Sequence, residues 1–379
     1  MDLVLNDNIK IKVMSDNKIK QIQDFGQRIW LDFFDREILN SGKLKKMIEE
    51  DGIGGVTSNP SIFEKAISSS SDYDEDLRSL IQTKRSYDVI FFSLAVKDIK
   101  RAADLFKPVY KETNGLDGFV SIEVSPHLAH DTEKTIKQAR ELWEAVDREN
   151  AMIKIPATVE GLPAIRTCIS EGININITLL FGLPRYEEVV EAYLSGLEDR
   201  VKANKPIDQI TSVASFFLSR IDSLIDPELK LKGLDELKGQ VAIASAKKAY
   251  GIYKKLFFGS RFTALESKGA KRQRLLWAST GTKDPTFSDI KYVSELIGPE
   301  TINTVTLETL DAFRDHGLPG NRLGEDMDTA SEVLEQLKGS NIDIDAVTRK
   351  LEDEGIEKFN IAYDKIIVAI KNKKTGQVV

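Results

Sequence analysis

One lysine lies in the middle of a short apolar segment, Met152-Ile153-Lys154-Ile155-Pro156. An ammonium group among aliphatic side chains loses hydration, and this loss favours the neutral amine. A neutral amine can attack a carbonyl carbon and form a Schiff base, an electron sink that weakens a neighbouring carbon–carbon bond. Taken alone, the segment favours a structural ion pair near a strand end over this chemistry. Other residues have to decide between the two.

The elements that position this lysine follow from the alternation of two patterns. Short runs of β-branched or aromatic residues are separated by longer segments of helical periodicity, which predicts βα units and a parallel sheet. We predict eight strands, at 28–34, 55–59, 118–124, 151–155, 173–179, 209–214, 274–279 and 301–304. The predicted fold is therefore α/β, a single (β/α)8 TIM barrel that spans residues 1–379 as one domain. Extra helices are predicted after the second strand and at the C-terminus.

Alternation within the predicted strands indicates a polar barrel interior. In 173–178, isoleucines occupy one face, and Asn174, Asn176 and Thr178 occupy the other. The outer face of a barrel strand packs on helices and must be apolar, so the polar set points inward. The same rule places Met152 and Lys154 on one face and predicts that Lys154 points into the barrel.

Polar residues recur where the predicted strands end, which is where barrels of this type carry their active sites. The set comprises Asp32, Thr57, Ser58, Asn59, Ser121, Glu123, Asn176, Thr178, Ser215 and Ser279. Asp32 and Glu123 flank Lys154 and could move the protons that imine formation and bond cleavage require. Either carboxylate could instead only neutralise Lys154. Each Ser, Thr or Asn alone could be a cap or turn residue.

A candidate anion site follows the seventh predicted strand. The segment 279–283, Ser-Thr-Gly-Thr-Lys, has small residues that let backbone N–H groups approach a phosphate, and Arg220 lies one helical turn beyond Ser215. Barrels commonly hold phosphate near strand seven. A solvated loop is the alternative reading of this segment. It does not match the P-loop pattern, so nucleotide hydrolysis is not indicated.

Composition excludes several classes of function. The net charge is −7 and the basic residues are spread along the chain, which argues against a nucleic-acid partner. Cys168 is the only cysteine and His127, His130 and His316 are the only histidines, so we expect no disulfide and no metal site. The first twenty residues lack a signal-peptide stretch, and no run approaches the roughly 20 apolar residues of a membrane span. We expect a cytoplasmic protein without a membrane partner.

Three motifs resemble the signatures of the transaldolase family. They are Gly55-Val56-Thr57-Ser58-Asn59-Pro60-Ser61-Ile62-Phe63, Met152-Ile153-Lys154-Ile155-Pro156-Ala157-Thr158, and Ile175-Asn176-Ile177-Thr178-Leu179-Leu180-Phe181. The chain length and the segments 30–32 and 277–283 are similar to the longer bacterial subfamily. The resemblance implies a (β/α)8 barrel without a cofactor, as monomer or homodimer. It also implies transfer of a dihydroxyacetone unit from sedoheptulose 7-phosphate to glyceraldehyde 3-phosphate in the non-oxidative pentose phosphate pathway, giving erythrose 4-phosphate and fructose 6-phosphate.

The resemblance also implies roles for individual residues. Lys154 would be the nucleophile, Asp32 the base for the donor hydroxyl, and Glu123 the proton shuttle through a water held by Thr178. The dihydroxyacetone unit would be bound by Asn59 and Asn176, with Thr57 and Ser215 nearby, and the phosphate by Arg220, Lys283 and Ser279. The shorter members of the family have arginine where Lys283 stands, and arginine alone binds phosphate through two parallel hydrogen bonds.

Two other functions compete with transfer. An aldolase of the same fold would release free dihydroxyacetone, but such relatives are much shorter, and the presence of Asp32 favours transfer. A sugar-phosphate-binding or scaffold protein with an inactive site would be expected to lack the lysine or a carboxylate, and both are present.

Overall fold

The computed structural model describes residues 17–375, and within them eight parallel strands close into a barrel. The strands are β1 (Gln27–Leu31), β2 (Gly55–Val56), β3 (Phe119–Glu123), β4 (Ala151–Pro156), β5 (Ile175–Leu180), β6 (Ser212–Phe217), β7 (Arg274–Ala278) and β8 (Thr301–Val305). Each strand pairs with its neighbours in sequence, and β1 closes the ring against β8 with Gln27 opposite Thr301. The predicted (β/α)8 TIM barrel is confirmed.

Residues 17–375 also form sixteen α-helices. They are α1 (Lys18–Ile22), α2 (Arg36–Asn40), α3 (Lys43–Asp51), α4 (Pro60–Ser69), α5 (Asp74–Ile81), α6 (Tyr87–Glu112), α7 (Thr132–Val146), α8 (Gly161–Glu171), α9 (Leu183–Lys202), α10 (Ser219–Leu231), α11 (Val241–Phe257), α12 (Ser260–Glu266), α13 (Lys291–Glu295), α14 (Leu307–His316), α15 (Met327–Gly339) and α16 (Ile344–Thr375). The connection from β2 to β3 holds three helices, α4, α5 and α6, and α15 and α16 follow the barrel. The extra helices are therefore where the sequence predicts them.

None of these helices in the described part of the chain is both long enough and apolar enough to span a membrane. The predicted domain also includes residues 1–16 and 376–379, which lie outside the described residues. The prediction that the first twenty residues contain no signal peptide therefore falls mostly outside the described residues as well.

Three strand predictions are wrong by three residues at a boundary, and the first of them is β1, which ends at Leu31 rather than at residue 34. The sixth strand runs over Ser212–Phe217 rather than 209–214, because residues 207–210 form a turn and the aromatic pair Phe216–Phe217 continues the ladder against β7. Ser215 consequently lies within β6 and not at its end. The second strand stops at Val56 because the chain then turns into α4, where Asn59 is the N-cap and its side chain accepts a hydrogen bond from the Ile62 amide.

The register of neighbouring strands places polar side chains next to one another inside the barrel. Lys154 of β4 lies opposite Glu123 of β3 on one side and opposite Asn176 of β5 on the other. Asn176 donates a hydrogen bond to Ser121 Oγ at 3.0 Å and accepts one from Ser215 Oγ at 2.7 Å. Side chains from four consecutive strands thus meet inside the barrel, as the alternation predicts.

Candidate active site

Lys154 is buried with its amine inside the barrel. Only 4% of the residue is exposed, Nζ donates a hydrogen bond to the carbonyl of Ser58 at 3.0 Å, and Glu123 Oε2 lies 3.6 Å away. One carbonyl and one carboxylate do not use all the hydrogen-bonding capacity of an ammonium group, which has three donors. The amine is therefore held in place and can still face a ligand.

Glu123 is a buried carboxyl with little to stabilise its charge. Within residues 17–375, neither of its oxygens has a hydrogen-bond partner, and the residue is 7% exposed. Burial raises the pKa of Glu123 to about 7; the Lys154 charge opposes this shift and the Asp32 charge adds to it. A carboxyl with this pKa can both give and take a proton near neutral pH.

Asp32 follows β1 directly and lines the same cavity as Lys154. Its Oδ1 accepts a hydrogen bond from Thr57 Oγ1 at 2.7 Å, and the Thr57 hydroxyl is also 2.9 Å from that of Thr304. Burial raises the pKa of Asp32, although the Lys154 charge and the Thr57 hydrogen bond work against the shift. The side chain keeps partial solvent contact, which suits a group that meets the substrate.

Thr178 presents a buried hydroxyl for which the described chain provides no hydrogen-bond partner. It lies two residues beyond Asn176 on β5, and therefore on the same face of the strand. A buried hydroxyl without a protein partner is expected to bind water or ligand. Asn59 differs, because its Oδ1 caps α4 by accepting from the Ile62 amide, while both hydrogens of its NH2 group are available to a ligand.

A cavity of about 190 Å³ opens above Lys154. Eight of the eleven predicted site residues line it, namely Asp32, Thr57, Asn59, Lys154, Ser215, Arg220, Ser279 and Lys283. The other three, Glu123, Asn176 and Thr178, are not among its lining residues. Glu123 borders a separate cavity of about 10 Å³ behind the amine.

One side of the larger cavity is positively charged. Arg220 belongs to α10, and its Nη1 atom is buried with no hydrogen-bond partner from any residue that the structure describes. Lys283 reaches the same cavity from the exposed loop after β7. Ser279 has a positive φ of 54° and its Oγ lies 3.0 Å from that of Ser219 at the start of α10. This arrangement can receive an anionic group.

Thr280 and Gly281 of the predicted anion segment also line the cavity, whereas six lining residues were missed by the sequence analysis: Ser61, Phe217, Ala278, Thr304, Thr306 and Phe359. Thr304 could have been predicted, because it lies near the C-terminal end of β8. The rule that polar residues at the strand ends belong to the site applies to this strand as well. Phe359 belongs to α16, far along the chain from any barrel strand. Its position depends on how the C-terminal helix packs, for which the local sequence contains no signal.

Comparison with known proteins assigns the chain to a family. The model of the family described as Transaldolase/Fructose-6-phosphate aldolase matches residues 29–370. The chain belongs to this family. A protein of Trichodesmium erythraeum named Transaldolase is 50% identical over 373 residues, which cover 95% of this chain and 98% of that protein. A Nostoc protein named Transaldolase 2 is 47% identical and a Saccharopolyspora erythraea protein named Transaldolase is 44% identical, with the same coverage.

The predicted resemblance to transaldolases is thereby confirmed over nearly the whole chain. In this family member, a buried amine, two carboxyls with raised pKa values and a positively charged side meet in one barrel. Such a site can form an imine, move protons around it and bind an anionic end of a substrate.

Proposed function

We propose that this chain is a transaldolase. It transfers a dihydroxyacetone unit from sedoheptulose 7-phosphate to glyceraldehyde 3-phosphate and yields erythrose 4-phosphate and fructose 6-phosphate, in the non-oxidative pentose phosphate pathway. The observation that carries the proposal is the Lys154 amine, which lies 3.6 Å from Glu123 inside a barrel of the transaldolase family. The relatives at 44–50% identity that are named Transaldolase support it.

Imine formation uses Lys154 and Glu123 in this proposal. The nitrogen lone pair attacks the ketone carbon of the donor and gives a carbinolamine. Glu123 in its protonated form gives a proton to the carbinolamine oxygen, so that water leaves and the Schiff base remains. Thr178, whose hydroxyl is free of protein partners among the described residues, holds the water through which this proton passes.

Carbon–carbon cleavage uses Asp32. Its carboxylate takes the proton from the donor hydroxyl next to the bond that breaks; the aldehyde product leaves, and the bonding electrons move to the imine nitrogen as an enamine. The acceptor aldehyde then reacts in the reverse sense, and Asp32 returns the proton to the new hydroxyl. Hydrolysis of the product imine regenerates Lys154.

The two parts of the substrate bind at different sides of the cavity. Asn59, Thr57 and Ser215 line the cavity and bind the hydroxyls of the dihydroxyacetone unit, and Asn176, which lies opposite Lys154 on β5, is assigned to the same unit. Arg220, Lys283 and Ser279 bind the phosphate, for which the buried Nη1 of Arg220 supplies an unused donor within the described chain.

The test is reduction of the intermediate. The protein is incubated with fructose 6-phosphate and borohydride, and the modified peptide is located by mass spectrometry. We expect one adduct on Lys154 and none in Lys154→Met. Lys247 is a suitable control because it is also a buried lysine but donates to the Glu325 carbonyl away from the barrel mouth, so Lys247→Met should still be labelled on Lys154. An adduct on another lysine would disprove the mechanism.

Product analysis separates transfer from simple aldol cleavage, because the family description includes both activities. With sedoheptulose 7-phosphate and glyceraldehyde 3-phosphate, we expect fructose 6-phosphate and erythrose 4-phosphate in equal amounts and no build-up of free dihydroxyacetone. Steady release of dihydroxyacetone without an acceptor would instead indicate an aldolase.

We further infer a cytoplasmic location and a monomeric or homodimeric state, both of which rest on the likeness to transaldolases. Fractionation of cells and sedimentation of the purified protein test these two inferences.

A further inference from the structure

The space behind Glu123 is lined mainly by carbon. The cavity there has a volume of about 10 Å³, and its lining includes the rings of Phe63, Phe91 and Tyr363 together with the Glu123 carboxyl. A water molecule needs roughly 10–15 Å³ and two to four polar partners. The cavity is at the lower limit of that volume, and apart from Glu123 and the Tyr363 hydroxyl its only polar side chains are those of Ser58 and Asn59. Its aromatic side therefore does not hydrate the carboxylate.

The three rings hold one another in place. The centroids of Phe63 and Phe91 are 5.5 Å apart at 82°, and those of Phe91 and Tyr363 are 5.5 Å apart at 89°, which is the favoured edge-to-face arrangement. The Tyr363 hydroxyl donates a hydrogen bond to Asp88 Oδ1 at 2.8 Å and is thus turned toward α6. We call Phe63, Phe91 and Tyr363 the aromatic wall.

Two of the three rings of the aromatic wall come from helices that the eight βα units do not require, α4 and α16, and the third comes from α6, which packs on β3 as the helix of the second unit. Phe63 belongs to α4 and Phe91 to α6, both in the long connection after β2, and Tyr363 belongs to the C-terminal helix α16. We propose that the extra helices serve the chemistry: the aromatic wall excludes water from Glu123, and its members are positioning residues for proton transfer at the imine. This inference rests on the proposed function, in which Glu123 is the proton shuttle.

The charges that face Glu123 are few. Lys154 of β4 lies 3.6 Å away, and the charge of Asp32, the residue after β1, also acts on Glu123. On the side of α16 and α6, the Tyr363 hydroxyl is engaged by Asp88, and His127 contacts the Tyr363 ring at 5.6 Å and pairs with Asp364. Burial is the largest influence on the pKa of Glu123, so admitting water past the wall should lower that pKa.

Infrared difference spectroscopy against pH measures this directly. The carbonyl band of a protonated carboxylic acid is followed as pH rises, and it is assigned to Glu123 by its loss in Glu123→Gln. We expect a midpoint near the raised pKa of about 7 in the unmodified protein. Tyr363→Ala opens the wall, and Tyr363→Gln keeps most of the side-chain volume but replaces the aromatic ring by a polar amide. Each should lower the midpoint by about one unit or more.

Two control variants separate this effect from a general loss of packing. Tyr363→Phe keeps the ring and removes only the hydrogen bond to Asp88, so the midpoint should stay near 7. The ring centroid of Phe92 lies 6.3 Å from that of Tyr363 and 5.0 Å from that of Phe91, but Phe92 does not line the cavity, so Phe92→Ala should also leave the midpoint unchanged. The upper pH limit of imine trapping should move together with the infrared midpoint.

A midpoint that is unchanged in both Tyr363→Ala and Tyr363→Gln overturns the inference. Because Tyr363→Gln removes much less volume than Tyr363→Ala, a folding defect of Tyr363→Ala does not end the test. Failure of the proposed function looks different: Glu123→Gln would then trap the imine at the unmodified rate at every pH, whatever the infrared midpoint of the wall variants.

Discussion

Asp32 and Glu123 share one amine but have different surroundings. Asp32 accepts a hydrogen bond from Thr57 and keeps partial contact with solvent, whereas Glu123 has neither advantage among the described residues. A hydrogen bond to the charged form favours ionisation and burial opposes it. The two carboxyls are therefore suited to different steps, one as a base at the cavity and the other as a proton donor behind the amine.

Replacing Asp32 tests its assignment as the base. Asp32→Asn can still interact with the Thr57 hydroxyl but cannot take a proton, so we expect transfer to slow by about 10²–10⁴-fold while the borohydride adduct still forms. Asp35→Asn is the control, because Asp35 is the N-cap of α2 and asparagine is an equally good cap. Wild-type turnover in Asp32→Asn would remove the role.

The pH dependence of imine formation should report Glu123. Its pKa is raised to about 7, so the carboxyl is protonated below that pH and loses its proton above it. Only the protonated form can assist the departure of water, and trapping should therefore slow as pH rises through about 7. This decrease in the trapping rate with rising pH should be absent in Glu123→Gln. A profile that is flat from pH 6 to 8 would contradict this assignment.

Replacing the Thr178 hydroxyl should slow the reaction without lowering stability. In Thr178→Val the buried hydroxyl without a protein partner is replaced by a methyl group of similar size, so thermal stability should be unchanged or slightly higher. Imine formation should slow by about tenfold, because one hydrogen bond to the water is lost. Thr178→Ser, which keeps the hydroxyl, should retain most of the rate. Equal rates in the Val and Ser variants would exclude the water-binding role.

Among the elements, β2 is the shortest strand and carries the turn that positions Thr57 and Ser58. A Cβ atom on Gly55 would lie 2.7 Å from the Phe119 carbonyl oxygen and 2.7 Å from the Trp30 ring, so the strand admits no side chain here. We expect Gly55→Ala to reduce the free energy of unfolding in urea by about 1–3 kcal/mol. Gly324→Ala is the control, because nothing lies within 4 Å of its Cβ position. Equal stability of the two variants would contradict the packing argument.

For the whole molecule, barrel closure joins the first strand to the eighth, which are distant in sequence. β1 pairs with β8 over five residues, from Gln27 with Thr301 to Leu31 with Val305. We therefore predict one domain and one unfolding transition. Circular dichroism, fluorescence of the buried Trp30 and Trp277, and loss of activity should change at the same denaturant concentration. Separate midpoints would indicate more than one domain.

Sequence patterns predicted the barrel well because its signals are local. The alternation of Ile and polar residues in β5, and of Met152, Lys154 and their apolar neighbours in β4, depends only on the two-residue period of a strand. The boundary of β6 was wrong because Gln209 and Ile210 resemble strand residues, while pairing with β7 decides where the strand runs. The prediction for β2 was too long because the cap of α4 competes with the ladder.

The types of residue at the strand ends, and the family to which they point, could be read from the sequence alone, since both depend on residue order. The surroundings of Glu123 could not. Tyr363 and Asp88, which are 275 residues apart, meet only because α16 packs across α6, and Phe359 reaches the cavity by the same packing. Burial and the pKa that follows from it are properties of contacts between distant segments. Lys154 could therefore be recognised from its strand, whereas the aromatic wall beside Glu123 could be identified only in the folded structure.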